Sequence, residues 1–592
     1  MTFEMGFVLI LIFVMLASLI LEVARPEMVM FTALTVLLVT GILTPGEALR
    51  GFSNEGMVTL ALLFMVAGAI QKHGVIDSIV HKLLRKVNSF QGITMRLFAP
   101  IAVFSSFFNN TPLVVALTPV LRNWCEEKGI APSKLLIPLS YVTILGGTVT
   151  LIGTSTNLVV HGMLVERGLG GFSFFQMAVV GVPITVLGLV YIAVVGHRLL
   201  PSYKSFTEKV WEDSREYMAE LTVRGDFPYL YQTVQEAGLR DLKGLYLIEI
   251  IRKKEMVSPV RSTTVIQAGD RLIFTGMIST IAELQRMKGL ELETGTDIDP
   301  NDLKGGSTQL VEAVVSHESP LCSRSIKQLQ FRAKYDAGVV AVHRNHERVE
   351  RKVGDIVLEP GDTLLLLAGP DFIEKHRVSS DFYVVSELNP PTAFNASPKR
   401  GWFALGVLLT MVLLVTLGVL SMLKAMMIAA LTLLFTKVIE LEEAKKFLHF
   451  NIMLLIASAI GIGTAMSKTG LAAWLAERAL MLVEPFGVVA VIALVYILTN
   501  LFTEVITNVA SAVLMVPIGL EVAEVIGVDP MGIAVTIAIA ASASFVTPIG
   551  YQTNLIVYGP GGYKFTDYFK VGFPLSVLVM VVTVVVVNYI LY

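Results

Sequence analysis

Two stretches of the chain repeat one pattern of small and polar residues inside apolar surroundings. The first, TLIGTSTNLVVHG, covers residues 150–162, and the second, TPIGYQTNLIVYG, covers residues 547–559. Glycine permits unwound backbone whose carbonyl oxygens can coordinate a hard cation, and Ser, Thr and Asn oxygens complete such a shell. Helix N-termini beside the same loops offer amide protons to an anion. The pattern predicts a site for a cation together with an anion.

The segments around these stretches have the composition of a membrane protein. Of the 592 residues, 54% are hydrophobic and 16% are charged, and the mean hydropathy is +0.69. Apolar runs of about 20 residues are long enough to cross a bilayer as helices. The predicted spans include residues 7–21, 29–43, 57–70, 179–195, 402–420 and 571–591. The first span has an acidic start and leads directly into another, so we expect it to be retained rather than cleaved as a signal peptide.

Residues 201–391 form a soluble insert in which charges rise and short strand patterns replace the long apolar runs. The insert is doubled, because VIQAGDRLIFTG (residues 265–276) and VLEPGDTLLLLAG (residues 357–369) both place a Gly-Asp turn between two strand patterns. This order is typical of a hairpin. Two tandem α+β modules are predicted, over residues 201–299 and 300–395. They resemble the C-terminal domain of the potassium-uptake regulator TrkA, the RCK-C domain.

The membrane segments on the two sides of the insert, residues 1–200 and 396–592, match each other. Four pairs of stretches recur in the same order: 69–84 with 465–480, 105–120 with 503–518, 150–162 with 547–559, and 171–183 with 564–574. In the first pair, each stretch ends a span and starts an amphipathic helix. The second pair aligns Asn110 with Asn508. The transmembrane part is therefore predicted to be a duplication.

Basic residues in short loops predict the orientation of the chain. The loop before residue 56 carries only Arg50, whereas the segment after residue 70 is basic, with Lys72, Lys82, Arg85, Lys86 and Arg96. With residues 97–122 as a re-entrant hairpin, the insert lies in the cytoplasm and both termini lie outside the plasma (inner) membrane. The second half then starts from the cytosol, so the two halves are inverted repeats. Lys468 and Arg478 on the outside are a modest breach of the rule.

Inverted repeats with broken helices are the arrangement in which secondary transporters hold substrate near the bilayer midplane. SASFVTPIGYQTNLIV, residues 542–557, resembles the signature of sodium:sulfate symporters. The paired Asn-Thr hairpin motifs resemble the divalent anion:sodium symporter (DASS) family over both membrane halves. The resemblance implies a polytopic α-helical protein of the inverted-repeat elevator type, with re-entrant hairpins and unwound helices. It also implies a homodimer that moves a di- or trivalent anion with sodium.

The same resemblance implies the residues of the site. The first of about two sodium ions would be held by Ser105, Asn109, Asn110 and Gly153, and the second by Thr503, Ile506 through its carbonyl, Asn508 and Gly550. The anion would contact Asn109, Asn110, Thr111, Thr154 and Ser155 from the first half and Thr507, Asn508, Tyr551 and Gln552 from the second. None of these residues is a lysine or arginine, so sodium would offset the charge of a dianion. This is a physical reason for obligatory coupling.

Departures from the dicarboxylate members of the family favour a smaller substrate. Their hairpin motif is Ser-Asn-Thr in both halves, whereas this chain has NNT at residues 109–111 and TNV at residues 507–509. Val509 removes a hydroxyl that would meet a second carboxylate. Where those members carry Pro-Pro-Asn, this chain has STN at residues 155–157 and QTN at residues 552–554. Together with the insert, these changes favour sulfate, and dicarboxylates and other oxyanions are the alternatives.

A channel, an anion sensor and an enzyme would each need motifs that this sequence lacks. A channel regulated by RCK domains needs a Thr-Val-Gly-Tyr-Gly-like filter, and an anion sensor needs an output motif; neither is present. An enzyme is not expected, since there is no P-loop or His-Glu-x-x-His motif, and neither an organic cofactor nor nucleic acid is implied. Sodium-free uptake would favour an uncoupled or proton-coupled carrier. The modules could bind a small-molecule regulator or hold two protomers together.

Glu504 is a carboxylate within the second hairpin, and intramembrane ionisable groups are usually functional. It either orients the hairpin and adds field strength near the second sodium ion, or it bonds neighbouring backbone for structure. Cys125 and Cys322 are far apart in the sequence. We expect them to be thiols rather than a disulfide or a metal site.

Overall fold

The chain forms two units in the computed structural model. The first combines Met1–Ser202, Thr392–Tyr558 and Tyr563–Tyr592, and the second combines Tyr203–Pro391 with Gly559–Gly562. The structure describes residues 2–21, 23–73, 75, 94–203, 218–239, 245–252, 255–257, 260–261, 263–276, 288–292, 309–316, 319–335, 337–344, 347–349, 353–368, 372–376, 381–387, 398–448 and 450–591. The predicted amphipathic helix at residues 76–84 lies outside these residues.

The first membrane half is helical. Its helices are α1 (Phe3–Ile20), α2 (Pro26–Val39), α3 (Pro45–Leu49), α4 (Glu55–Lys72), α5 (Ala99–Ser105), α6 (Asn110–Lys128), α7 (Leu136–Gly147), α8 (Ser155–Glu166), α9 (Ala178–Tyr191) and α10 (His197–Leu199). Asn54 caps α4 by accepting hydrogen bonds from Gly56 N and Met57 N. Helices α7 and α8 are almost entirely buried. This is expected of helices that carry apolar residues on every face.

The second unit contains two antiparallel five-stranded sheets. The first has the strand order β3-β2-β4-β1-β5 and the second β10-β6-β9-β7-β8. Their elements are β1 (Met218–Val223), β2 (Leu245–Arg252), β3 (Glu255–Val257), β4 (Arg271–Gly276), β5 (Leu290–Leu292), β6 (Gln309–Val315), α11 (Phe331–Tyr335), β7 (Ala337–Arg344), β8 (Glu347–Arg348), β9 (Thr363–Ala368), α12 (Phe372–His376) and β10 (Phe382–Glu387). Read from opposite edges, the two sheets have the same topology.

One ion pair recurs at the same place in each sheet. Arg252 donates to both carboxylate oxygens of Asp270 at 2.8 Å, and Arg344 donates to Asp362 at 2.8 and 2.7 Å. Hydrogen bonding to Asp362 raises the pKa of the Arg344 guanidinium. Both aspartates are buried, where a bidentate arginine offsets the cost of desolvation.

The predicted hairpins around the Gly-Asp turns are wrong. Val265 forms only a single bridge, with Thr233, and β4 pairs instead with β1 and β2. The second module repeats this arrangement, because Val357 bridges Ser325. The physical reason is that the aspartate closes each turn, held by an arginine at the end of β2 or β7, and no ladder forms between flanking strands.

Apart from α10 and the helix Leu471–Val483, the helices of the second membrane half follow the same order as those described in the first. Its helices are α13 (Pro398–Thr416), α14 (Met422–Phe435), α15 (Leu441–Phe447), α16 (Phe450–Lys468), α17 (Leu471–Val483), α18 (Val488–Val505), α19 (Asn508–Ile526), α20 (Pro530–Ser542), α21 (Gln552–Gly561) and α22 (Phe565–Val586). Counting only described residues, eight helical segments are long and apolar enough to cross a membrane. The chain is a multi-pass helical membrane protein.

Contacts between the halves are reciprocal. Helix α2 packs on α16, and its counterpart α14 packs on α4. The same exchange occurs in two ion pairs at helix ends: Lys72 bonds Glu443 at 2.6 Å, and Lys468 bonds Glu47 at 2.8 Å. An exchange of equivalent partners is what a twofold relation between two repeats produces.

Candidate functional site

Four helices begin at residues that the sequence analysis assigns to the anion. They are α6 at Asn110, α8 at Ser155, α19 at Asn508 and α21 at Gln552. The segments before them, residues 106–109, 148–154, 506–507 and 543–551, interrupt the α-helical backbone. The first amide groups of each helix have no partner within the helix, and each N-terminus carries a partial positive charge. The breaks that polar residues, glycine and proline predict therefore present helix starts suited to an anionic ligand.

The first predicted cation cluster contains Ser105, Asn110 and Gly153. Ser105 Oγ donates to Asn110 Oδ1 at 2.6 Å and also lies 2.7 Å from the carbonyl oxygen of Thr143. A Cβ on Gly147 would lie 2.7 Å from Asn110 Oδ1 and 3.1 Å from the Gly153 carbonyl oxygen. Several oxygens thus converge around glycine backbone, which is a donor set that suits a hard monovalent cation.

The second cluster repeats these bonds residue for residue. Thr503 Oγ1 donates to Asn508 Oδ1 at 3.0 Å and lies 2.6 Å from the carbonyl oxygen of Ala541. A Cβ on Gly550 would lie 2.9 Å from the Thr503 carbonyl oxygen. Ile506 ends α18 in extended conformation, which interrupts its helix at the expected place. Three of the four predicted ligands of this cluster are therefore neighbours.

The two unwound segments are held by matching asparagines. Asn157 Nδ2 donates to the carbonyl oxygen of Thr150 at 2.9 Å, and Asn554 Nδ2 donates to that of Thr547 at 3.0 Å. Both asparagines are fully buried. A buried amide that donates to a backbone carbonyl left without a helical partner offsets part of the cost of breaking the helix. In both copies of the repeated motif, the asparagine therefore stabilises an unwound segment.

The hydroxyl of Tyr551 joins the halves at the centre of the site. It accepts a hydrogen bond from Asn110 Nδ2 at 2.8 Å and lies 3.2 Å from Thr154 Oγ1. The side chain of Asn508 interacts with the same hydroxyl. Both motif asparagines, one from each half, therefore meet at one buried polar atom.

The remaining predicted anion contacts surround this centre and are partly exposed. They are Asn109, Thr111, Ser155, Thr507 and Gln552. The side-chain oxygen of Asn109, Oδ1, accepts a hydrogen bond from Thr111 N at 3.2 Å. The role of Asn109 as a cation ligand stays a prediction.

Glu504 bonds backbone amides of the second unwound segment. Its Oε1 accepts from Phe545 N at 2.9 Å and Val546 N at 3.0 Å, and its Oε2 accepts from Thr547 N at 2.9 Å. Its carbonyl oxygen also accepts from Thr547 Oγ1 at 3.1 Å. The carboxylate thus holds the unwound segment after α20 through its backbone amides. This arrangement agrees with the interpretation that Glu504 bonds neighbouring backbone for structure. The matching residue in the first half is Ser106.

Sequence reasoning missed several groups that build the site. Gly147 and the Thr143 carbonyl belong to the first cluster, and Ser140 donates to Asn554 Oδ1 at 2.7 Å. Tyr141 donates to the carbonyl oxygen of Phe545 at 2.6 Å. Gly147 was visible as part of a glycine pair, whereas Ser140 and Tyr141 bond across halves and have no local signal.

A family model for citrate transporters (CitMHS) matches residues 11–538. The chain belongs to the citrate transporter family. The family match indicates a transporter rather than an enzyme. This citrate transporter homologue covers between 84% and 97% of the length of three relatives, and the similarity includes both membrane halves and the insert.

Three relatives add detail. A protein of Chlamydomonas reinhardtii named for regulating the response to sulfur deprivation is 34% identical over 570 residues, 95% of this chain and 97% of the relative. An uncharacterized transporter of Synechocystis is 30% identical over 562 residues, 93% of this chain and 91% of its own length. Sodium/sulfate cotransporter 1 of Chlamydomonas reinhardtii is 26% identical over 748 residues, covering 91% and 84%.

Proposed function

We propose that this chain is a secondary active transporter that carries a small divalent oxyanion, sulfate first, together with sodium. The observation that carries the proposal is the convergence of four helix N-termini and two motif asparagines around the Tyr551 hydroxyl. None of the anion-contacting side chains is charged. Neutral donors and helix ends offset only part of the charge of a dianion, so cations beside it would strengthen its binding.

The two glycine-lined clusters supply places for those cations. Each combines a hydroxyl, an amide oxygen and backbone carbonyl groups next to the start of an anion-facing helix. A sodium ion in each would offset the charge of a dianion, so neither partner would bind well alone. This is the physical basis on which we propose symport.

The choice of sulfate rests on the relatives and on the missing hydroxyl at Val509. A sodium/sulfate cotransporter matches along 91% of this chain. The family's description favours a second candidate, an organic anion such as citrate or a dicarboxylate. Sulfate needs a single cluster of donors, and the groups around Tyr551 form one.

We also propose how the transporter is assembled, oriented, moved and regulated. The transporter is a homodimer in the lipid bilayer that moves its site by an elevator motion. Its termini lie outside and its insert lies in the cytoplasm. The two β-sheet modules are of the RCK-C type and respond to a small-molecule regulator.

Thermal unfolding of the purified chain tests the binding step. With sodium present, sulfate at about 100 times its Kd should stabilise the folded state by about 2.7 kcal/mol. With choline in place of sodium, sulfate should have little effect. Gly406→Ala serves as the control for an added methyl group, because a Cβ at this position meets no atom within 4 Å. Stabilisation by citrate or succinate but not by sulfate would favour the organic anion, and equal stabilisation in choline would contradict coupling.

A further inference from the structure

A hydrogen bond crosses the candidate anion site from one half of the chain to the other. The Thr111 hydroxyl donates to Gln552 Oε1 over 3.1 Å. Thr111 lies in the first turn of α6, and Gln552 is the first residue of α21. Both side chains are half-buried, whereas Tyr551 is buried. This bond, called the Thr111–Gln552 bridge below, therefore lies on the accessible side of the site.

The duplicated pair of positions cannot form the same bond. Val509 stands where the repeat would place the counterpart of Thr111, and Ser155 is the counterpart of Gln552. A valine side chain neither donates nor accepts hydrogen bonds. The two halves therefore build an asymmetric site, in which one wall is bridged and the equivalent wall has no bridge.

We propose that the Thr111–Gln552 bridge determines specificity by restricting the site to compact anions. The inference rests on the proposed function and adds to it a selectivity element. A tetrahedral oxyanion carries its charge in one small group, and the donors around Tyr551 form one cluster. A dicarboxylate has two separated charges and needs donors beyond that cluster. In the bridge, the Thr111 hydroxyl is already bonded to the side-chain amide oxygen of Gln552. An extended anion that needs the Thr111 hydroxyl therefore has to break this hydrogen bond.

Uptake of two substrates by proteoliposomes tests this role. Radiolabelled sulfate and succinate are compared under the same sodium gradient, and kcat and KM are measured for each. Gln552→Ala and Thr111→Val remove the bridge, while Thr111→Ser keeps the hydroxyl. We expect Gln552→Ala, which releases the Thr111 hydroxyl, to lower KM for succinate by roughly tenfold, the ratio that about 1.4 kcal/mol produces. Thr111→Val removes that hydroxyl together with the bridge and should not lower KM for succinate. Thr111→Ser, which keeps the donor hydroxyl, should leave the succinate KM closer to that of wild type than Gln552→Ala does.

Succinate KM is the deciding quantity because Thr111 is also a predicted sulfate contact. Loss of a sulfate contact would raise KM for sulfate without improving succinate. Val509→Ala is the matched control: it removes bulk from the equivalent wall, where there is no bridge to break. Its succinate KM should stay within about twofold of wild type.

The outcomes separate the selectivity role from the function. Unchanged succinate KM in Gln552→Ala, with sulfate uptake retained, would overturn the selectivity role and leave the symporter function standing. An equal fall of KM in Val509→Ala would also overturn it, since volume would then set selectivity. A wild type that transports succinate in preference to sulfate would overturn both proposals.

Discussion

At the scale of single residues, the cation clusters depend on glycines that leave no room for a side chain. A Cβ on Gly153 would overlap the carbonyl oxygen of Gly147 and lie 2.9 Å from its Cα. A Cβ on Gly147 would press on the Asn110 amide from the other side. The oxygens can converge only because both positions lack a side chain, so the cluster is sensitive to one methyl group.

Gly153→Ala is expected to abolish sodium-dependent uptake. The added methyl group meets backbone atoms of Gly147. The end of α7 and the unwound segment that carries Gly153 then have to move apart, and their carbonyl oxygens no longer point at one centre. Uptake by proteoliposomes measures the loss, with Gly406→Ala as the control that keeps wild-type uptake. Wild-type sodium dependence in Gly153→Ala would show that these carbonyls do not bind the cation.

Glu504→Gln separates the two interpretations of this carboxylate. Glutamine has one acceptor oxygen, so it cannot accept all three amide hydrogen bonds, and a buried unpaired amide costs about 1–3 kcal/mol. We expect a lower melting temperature and an apparent sodium affinity within about twofold of wild type. A tenfold loss of sodium affinity at an unchanged melting temperature would instead assign Glu504 to cation binding.

At the scale of elements, local signals predict much of the helical part. Apolar length predicted α1, α4 and α9 because a helix in lipid must satisfy its own backbone, and paired glycines marked the end of α7. The predicted hairpins of the insert were wrong for a long-range reason. The arginine that holds each Gly-Asp turn, such as Arg252 with Asp270, comes from an earlier strand, and no pattern around the turn contains it.

Helix α7 also differs from its counterpart α20 in a way that sequence alone does not reveal. Ser140 in α7 bonds both Thr553 Oγ1 at 2.9 Å and Asn554 Oδ1 at 2.7 Å. The duplicated position in α20 is Ala538. Within the described residues, Thr156 Oγ1 and Asn157 Oδ1 are buried with no hydrogen-bond partner. One missing hydroxyl accounts for both unpaired oxygens.

Ala538→Ser should therefore stabilise the protein. Helix α8 packs on α20, and a hydroxyl at residue 538 would bond Thr156 and Asn157 as Ser140 bonds their counterparts, for about 1 kcal/mol. The melting temperature should rise, whereas Ala534→Ser, one turn earlier in α20, should not raise it. A lower melting temperature for Ala538→Ser would mean that the site already holds a bound water or has no space for the hydroxyl.

At the scale of the whole molecule, the site exists only because two halves of one chain meet. The motif repeat predicted which residues correspond, and the structure brings Asn110 and Asn508 to one tyrosine hydroxyl. The reciprocal packing of α2 on α16 and of α14 on α4 could not be predicted. Contacts between distant repeats depend on side-chain fit, which a single sequence does not encode locally.

The most direct test of this account is radiolabelled sulfate uptake into proteoliposomes with and without a sodium gradient. Wild type is compared with Asn110→Ala, Asn508→Ala and the control Gly406→Ala. We expect sodium-driven uptake in wild type and control, and its loss in both asparagine variants while they remain folded. Absence of sulfate uptake under any gradient in folded wild type, or full uptake in either asparagine variant, would contradict it.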